Sequence, residues 1–125
     1  MFDRIINTIK NLNNSVEKYK KDTIIQSLPT LTYVNRAKKM LEQNDYEGAE
    51  KVLLEALELP QKDALVYKYL GAVYERTGRN ELAVENYQTS ADINPQDKNI
   101  WQRLGFCLVT AGKFEQAEKS FENSD

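Results

Sequence analysis

The side chains in this sequence that could do acid–base chemistry are its many glutamates. Those that could pair as a general acid and a general base are Glu47, Glu50, Glu55, Glu58, Glu81, Glu85, Glu115, Glu118 and Glu122. Several lie four residues before a lysine, as Glu47 does before Lys51, which is the spacing of neighbours on a solvated helix face. We therefore interpret these carboxylates as surface charge and not as the facing pair of a hydrolase site.

Residue types for other kinds of catalysis are scarce. The sequence has 0 His, which excludes Ser-His-Asp and Cys-His catalysis and every His-ligated metal site. Its single Cys, Cys107, excludes an internal disulfide and a cysteine-based zinc site, and we interpret it as a small buried residue. The 5 Gly never cluster into a loop that could cradle a phosphate. We therefore predict that the chain is not an enzyme and uses no metal or cofactor.

Length and charge narrow the remaining functions. The chain has 125 residues, enough for one domain, and 17 basic against 19 acidic residues give a net charge of −2. A nucleic-acid-binding surface needs a marked basic excess, so we predict no nucleic acid partner. No run of about 18 apolar residues is present, and polar residues interrupt the start of the chain, which argues against membrane insertion and a secretory signal. The expected compartment is the cytoplasm.

The elements that must position any site repeat along the chain. Residues 67–74 align with residues 101–108 at an offset of 34, which matches aromatic with aromatic and Leu-Gly with Leu-Gly. The same offset joins Gly78 with Gly112, Ala83 with Ala117, and Tyr87 with Phe121. Moving another 34 residues toward the N-terminus gives a first unit that matches less well. The sequence therefore predicts three units, residues 30–63, 64–97 and 98–125, after an N-terminal segment, residues 1–29.

Each unit has the pattern of two helices joined by a tight turn. Apolar residues recur with helical spacing before and after each turn. Gly78 and Gly112 suit the left-handed backbone that ends a helix, and Asn44 can adopt it in the first unit. Asn80 is predicted to cap the second helix of its unit. Pro60 and Pro95 are predicted to end the second helices of the first two units.

Small residues recur where two paired helices would approach closely. Gly71 and Gly105 lie in first helices, and an alanine lies at the matching place in every second helix. We expect the aromatic residues Tyr33, Tyr67 and Trp101 to fill the space beside these small residues. One helix pair cannot cover its own apolar faces, so the pairs should stack into a solenoid.

This pattern resembles the tetratricopeptide repeat, whose signature is W-x2-L-G-x2-Y, then A-x3-F, then P. The second unit matches it at Tyr67, Leu70, Gly71, Tyr74, Ala83, Tyr87 and Pro95, and the third at Trp101, Leu104, Gly105, Leu108, Ala117 and Phe121. The first unit departs from it, since Arg36 replaces the Leu and Ala37 the Gly. The resemblance implies an all-α, right-handed superhelical solenoid of antiparallel helix pairs, with an additional N-terminal helix.

The resemblance also implies a non-catalytic interaction module, an adaptor that binds a peptide or protein segment in a concave groove lined by the first helices. The predicted binding residues on these faces are Val34, Lys38, Leu41, Lys68, Tyr69, Ala72, Asn99, Gln102, Arg103, Phe106 and Val109. The matching positions on the same faces also include Leu31, Asn35, Leu65 and Glu75. Apolar anchors such as Tyr69 and Phe106 among cations suit a ligand with apolar side chains and acidic character. The alternative is that Tyr69 and Phe106 simply pack against neighbouring helices or the N-terminal segment.

Some members of this family hold the C-terminal carboxylate of a chaperone with five polar side chains, from Lys, Asn, Asn, Lys and Arg. The corresponding positions in this sequence are Val34, Lys38, Tyr69, Asn99 and Arg103. Only Arg103 agrees with the pattern. One cation cannot replace several converging hydrogen-bond donors, so the sequence argues against a terminal-carboxylate clamp.

The N-terminal segment leaves three interpretations open. An apolar seam at Phe2, Ile5, Ile9, Leu12, Val16 and Tyr19 predicts an amphipathic helix that ends near Lys21. This helix could pack on the first unit, form a short coiled coil between copies, or lie on a membrane surface. The alternative function is accordingly a self-associating scaffold, or a piece of a longer array, that assembles through the N-terminal helix or an uncapped C-terminal helix.

Overall fold

The chain folds as an all-α solenoid, as the sequence predicts. The computed structural model describes the backbone of residues 2–125 and the side chains of residues 2–11 and 29–125. Its helices are α1 (Phe2–Glu42), α2 (Tyr46–Ala56), α3 (Ala64–Arg76), α4 (Asn80–Ile93), α5 (Lys98–Thr110) and α6 (Phe114–Asn123), and residues 2–125 contain no strand. The C-terminal part of α1 pairs with α2, α3 with α4, and α5 with α6, and the three pairs stack in that order.

The turns within the pairs follow the sequence prediction closely. Gly78 and Gly112 each have a φ of 77°, and Asn44 has a φ of 60°. Helices α3 and α5 begin at Ala64 and Lys98, where the 34-residue repeat places the starts of the second and third units. Residues with left-handed backbone therefore end the first helix of each pair.

The helix caps differ from the prediction at one position. Asn80 is the first residue of α4 and does not cap it; its side-chain Nδ2 instead donates to the carbonyl oxygen of Cys107 at 2.9 Å. Aspartates cap three other helices, with Asp63 accepting a hydrogen bond from the backbone N–H of Leu65 and Asp97 from that of Asn99. The third is Asp45, which caps α2. Helix α2 also ends at Ala56, before Pro60 is reached.

The close approach of paired helices occurs at the predicted glycines, but different rings fill the space. A Cβ on Gly71 would lie 2.8 Å from the ring of Tyr87, and one on Gly105 would lie 2.6 Å from the ring of Phe121. These rings come from the second helices. The expectation that Tyr67 and Trp101 fill this space is therefore wrong.

Trp101 lies at the edge of the core, and its indole Nε1 donates to the carbonyl oxygen of Pro95 at 2.9 Å.

The first unit packs its two helices at the same place with other residues. At the positions of the glycine and the ring it has Ala37 and Leu53, and both are completely buried. Because alanine carries a Cβ, an aliphatic side chain replaces the ring in this unit.

Helix α1 differs from the prediction only in where the N-terminal helix ends, which is not near Lys21. It runs without interruption from Phe2 to Glu42 and contains Pro29. The side chains of Phe2, Ile5, Ile6 and Ile9 are exposed, so this part of the seam does not pack on the first unit. The remaining seam residues, Leu12, Val16 and Tyr19, lie outside the described side chains. No helix among the described residues has the length and apolar character needed to cross a membrane.

We predict that Gly71→Ala lowers the free energy of unfolding more than Gly105→Ala does. Either substitution gains about 1 kcal/mol of helix propensity but forces a Cβ against a ring, which typically costs about 1–3 kcal/mol. Tyr87 is 1% exposed and cannot move aside, whereas Phe121 is only partly buried. Urea unfolding measures both values.

Tyr87→Leu provides the matched control for this prediction. Combined with Gly71→Ala, it should recover part of the loss, because the double variant has the Ala and Leu of the first unit. A larger loss for Gly105→Ala than for Gly71→Ala would contradict the proposed difference between the two rings.

Candidate functional site

A cleft of about 370 Å³ lies between α3 and α5. Five of the residues predicted to bind a partner line it together: Lys68, Tyr69, Ala72, Asn99 and Arg103. The lining also includes Glu75, which the sequence places on the same face, and Arg76 and Tyr87, which it does not. The first helices of the second and third units therefore bring the central part of the predicted site together.

A second cleft, of about 450 Å³, continues the first one toward α1. The two clefts share Tyr69, Ala72 and Arg76, and the second adds Lys38 and Leu41 from α1. Because they share one wall, they form a single surface across α1, α3 and α5. We call this surface, defined by the residues that line the two clefts, the groove.

Positive charge predominates in the groove. Its lining contains four cationic side chains, Lys38, Lys68, Arg76 and Arg103, against two carboxylates, Glu42 and Glu75. Arg76 is exposed and makes no ion pair with any residue that the structure describes. The groove thus has a net positive charge on a chain whose overall charge is −2.

Tyr69 lies where the two clefts meet. The Nζ of Lys38 lies 6.0 Å from the centre of the Tyr69 ring, at the outer limit of a cation–π contact. The ring also packs against the edge of the hydrophobic core and remains partly exposed. Tyr69 therefore packs against its neighbours and still presents a face to the groove.

Glu75 organises part of the groove lining, on the face where the 34-residue repeat places it. Its Oε2 accepts a hydrogen bond of 2.8 Å from the Tyr87 hydroxyl, and its Oε1 lies 3.6 Å from Nη1 of Arg103. Burial, and then the bond to Glu75, raise the pKa of the Tyr87 phenol, which therefore stays protonated as a donor.

Lys68 is held by Asp97, the residue that caps the N-terminus of α5. Its Nζ donates to Oδ2 of Asp97 at 3.0 Å. Partial burial alone would raise the pKa of the Asp97 carboxyl, but the hydrogen bond from Lys68, its positive charge, and the backbone N–H groups of Asn99 and Ile100 together lower it. Asp97 thus caps α5 and also orients a lysine at the rim of the groove.

The structure does not bring every predicted residue into the groove. Val34 is 2% exposed and is a core residue, and Leu41 is also buried, so it reaches the groove only at an edge. Gln102, Phe106 and Val109 line a separate cleft of about 570 Å³ between α5 and α6. We call this the end cleft, and it is lined also by Phe114, Ala117, Glu118, Phe121, Glu122, Ser124 and Asp125.

Cys107 has the environment of a structural residue. It is buried, and burial, followed by the charge of Glu75, raises the pKa of its thiol to about 11. A thiol with a raised pKa has little reactive thiolate near neutral pH. This agrees with the prediction of a small buried side chain.

An ion pair joins the first two units on the surface away from the groove. Arg79, in the turn before α4, donates from Nη1 and Nη2 to the two carboxylate oxygens of Glu50 on α2, at 3.0 and 2.7 Å. The same guanidinium lies 4.6 Å from the centre of the Tyr74 ring. The hydrogen bonds from Arg79 lower the pKa of Glu50, although partial burial opposes this.

We predict that Glu50→Gln lowers stability at pH 7 by about 0.2–1 kcal/mol, the range measured for exposed pairs. Because the pKa of Glu50 is lower in the folded state, its contribution is complete above the unfolded value of about 4.3. It is lost as the pH falls through the folded value. Urea unfolding at pH 7 and at about pH 3 should therefore show a difference that disappears in acid. In an Arg79→Gln background, which removes the partner of Glu50, the same Glu50→Gln change is the control and should show no such difference.

Comparison with known proteins identifies the fold family. Residues 70–97 match the family model described as "Tetratricopeptide repeat". The second unit is a tetratricopeptide repeat. The matched segment starts at Leu70 of the second unit and ends just before the third, so it lies in register with the unit that fits the signature best.

Sequence relatives match about 70% of the chain. Human RANBP2-like and GRIP domain-containing protein 1 is 31% identical over 96 residues, which is 70% of this chain and 6% of that protein. An uncharacterized protein of Haemophilus influenzae is 30% identical over 89 residues, which is 71% of this chain and 50% of that protein. The chain therefore spans half or less of these relatives.

Solved structures share the solenoid with low sequence identity. The second TPR of Spaghetti (RPAP3), bound to the HSP90 peptide SRMEEVD, superposes with a TM-score of 0.76 at 16% identity, over 86% of this chain and 94% of that one. The Yersinia enterocolitica type III secretion chaperone SycD, in complex with a peptide of the translocator YopD, gives a TM-score of 0.71 at 22% identity, over 76% and 72%. At these identities the similarity establishes the fold.

Proposed function

We propose that this chain is a non-catalytic adaptor that binds a peptide segment of a partner protein in the groove. The observation that supports this most directly is that two clefts share Tyr69, Ala72 and Arg76 and so form one surface across three first helices. A continuous surface of this kind suits a chain segment rather than a small compact ligand. Two solved solenoids of the same fold are in complex with peptides, which agrees with the proposal.

The chemistry of the groove favours an acidic peptide with an apolar anchor. Lys38, Arg76 and Arg103 present three cations around the partly exposed Tyr69 ring. Acidic side chains would pair with these cations, and an apolar side chain would pack against Tyr69. Arg76 is the most available of the cations, because Arg103 already faces Glu75.

The mode of binding should not depend on a terminal carboxylate. Val34 is buried, and Tyr69 stands where a carboxylate clamp has an asparagine. Two of the five clamp positions therefore offer the groove no amide or ammonium donor. The cations of this groove instead lie along its length, at Lys38, Arg76 and Arg103. We therefore propose that an internal acidic segment is the ligand.

The test begins with selection of a random peptide library on the immobilised chain, followed by affinity measurement of the selected peptides by fluorescence anisotropy. We expect enrichment of Asp and Glu beside an apolar residue. Tyr69→Ala and Arg76→Glu should each raise the Kd at least about tenfold, which corresponds to about 1.4 kcal/mol. Leu54→Ala, an exposed apolar position on α2 outside the groove, is the control and should leave the Kd unchanged.

Selected peptides that bind equally well to wild type and to both groove variants would contradict the proposal. Enrichment of basic peptides would contradict the proposed ligand chemistry. Arg76→Lys separates charge from shape, since it keeps the cation and should retain most of the affinity.

A second prediction concerns the terminal carboxylate. Amidating the C-terminus of a selected peptide should change its Kd by less than about threefold, because the groove lacks the converging donors of a clamp. Replacing its internal Glu by Gln should weaken it considerably more. The peptide SRMEEVD serves as the comparison, and tight binding of SRMEEVD that amidation abolishes would show that the chain forms a clamp after all.

A further inference from the structure

The end cleft presents an apolar surface that no described residue covers. Phe106 on α5 is 53% exposed and Phe114 on α6 is 67% exposed, with Val109 beside them. Phe106 and Phe121 meet edge to face with ring centres 5.3 Å apart. The result is a cluster of aromatic side chains on the last helix pair.

The preceding unit shows what kind of element covers such a surface. Tyr87 on α4 corresponds to Phe121 on α6, and it is almost completely buried where α5 packs against α4. Phe121, which has no such neighbour, remains partly exposed. A helix with an apolar stripe is therefore the element that fits this face.

The N-terminal part of α1 has that form. Phe2, Ile5, Ile6 and Ile9 follow the spacing i, i+3, i+4 and i+7, which places them on one stripe. All four side chains are about half exposed or more, and Phe2 reaches 80%. Among the described residues, an apolar helix stripe at Phe2–Ile9 and the apolar end cleft therefore both lack a covering element.

The charges around these two surfaces are complementary. Glu118, Glu122 and Asp125 line the end cleft, whereas Arg4 and Lys10 outnumber Asp3 in residues 2–11 and give this part of α1 a charge of +1. Pairing of two such N-terminal helices would bring like charges together, while docking in the end cleft would bring opposite charges together. The charges favour the end cleft as the binding site for this helix.

The two surfaces lie apart in the molecule. Ile9 precedes Pro29 by 20 positions, or roughly 30 Å along a helix axis, and α1 and α6 belong to opposite ends of the stack. We propose that residues 2–11 of one copy dock in the end cleft of a second copy and join the chains head to tail. Such a contact uses two different patches, so it can repeat from copy to copy.

The test uses two variants of the complete chain, each with one surface altered. Ile5→Glu/Ile9→Glu changes the helix, and Phe106→Glu/Phe114→Glu changes the cleft. By light scattering, the wild type should show a mass that rises with concentration above that of the 14.4 kDa chain. Each variant alone should stay monomeric, and an equimolar mixture should form a 1:1 complex, because one intact helix then meets one intact cleft.

The mixture distinguishes this arrangement from the alternatives. If the helix variant is monomeric while the cleft variant still associates, the helices pair with each other and the proposal is wrong. If the wild type is monomeric at millimolar concentration, or gains mass only with vesicles of anionic lipid, the proposal is also wrong. Leu54→Glu/Leu82→Glu, at two exposed apolar positions outside both surfaces, is the control and should associate as the wild type does.

Charge reversal provides an independent measurement. Glu118→Lys/Glu122→Lys should weaken association at least about tenfold, and Arg4→Glu/Lys10→Glu in the other partner should restore much of it. Circular dichroism melting verifies that each variant is folded, since all the substituted side chains are exposed. Association that is indifferent to both charge reversals would overturn the proposed pairing.

Discussion

The distance between paired helices depends on one contact, that of a helix backbone against an aromatic ring. At Gly71 and Gly105 the facing rings of Tyr87 and Phe121 leave no room for a Cβ. The first unit has Ala37 with Leu53 at the same positions, so the sum of the two side chains, rather than either residue alone, is what the packing requires. A smaller side chain at one position must be matched by a larger side chain at the other. This explains why the three units keep a similar shape with different residues.

The same contact also connects the core to the groove. The Tyr87 ring packs against Gly71, and its hydroxyl donates to Glu75, which faces Arg103 on the next first helix. Close packing of one helix pair therefore fixes a carboxylate between two units, and that carboxylate orients a cation of the groove. Asp97 has a comparable double role, since it caps α5 and accepts a hydrogen bond from Lys68. The polar residues of the site are thus positioned by the elements that build the stack.

The sequence predicted those features that depend on local conformation or on the repeat itself. The left-handed turns at Asn44, Gly78 and Gly112 are local, because few residues adopt a positive φ without strain, and all three are confirmed. The roles of Glu75 and Asn80 were missed because each is decided by a partner in another helix, Tyr87 in one case and the Cys107 carbonyl in the other. The N-terminal helix was predicted to end near Lys21, before Pro29. That end is wrong, because α1 continues through the proline.

The predicted binding residues lie in two separate clefts, the groove and the end cleft, for a different reason. Phe106 and Val109 occupy positions that correspond to Ala72 and Glu75, so the repeat alone assigns both pairs of residues to the same surface. In the second unit, however, α5 stands beside that surface and closes it into the groove, whereas the third unit has no further described helix beside it. Equivalent positions therefore acquire different environments according to whether another helix pair follows. In a solenoid each internal contact joins two unlike faces, the trailing face of one pair and the leading helix of the next. In the described part of this chain, one leading face and one trailing face stay uncovered. The trailing face belongs to the third unit, and it is apolar because Phe106 and Val109 stand where the second unit has Ala72 and Glu75.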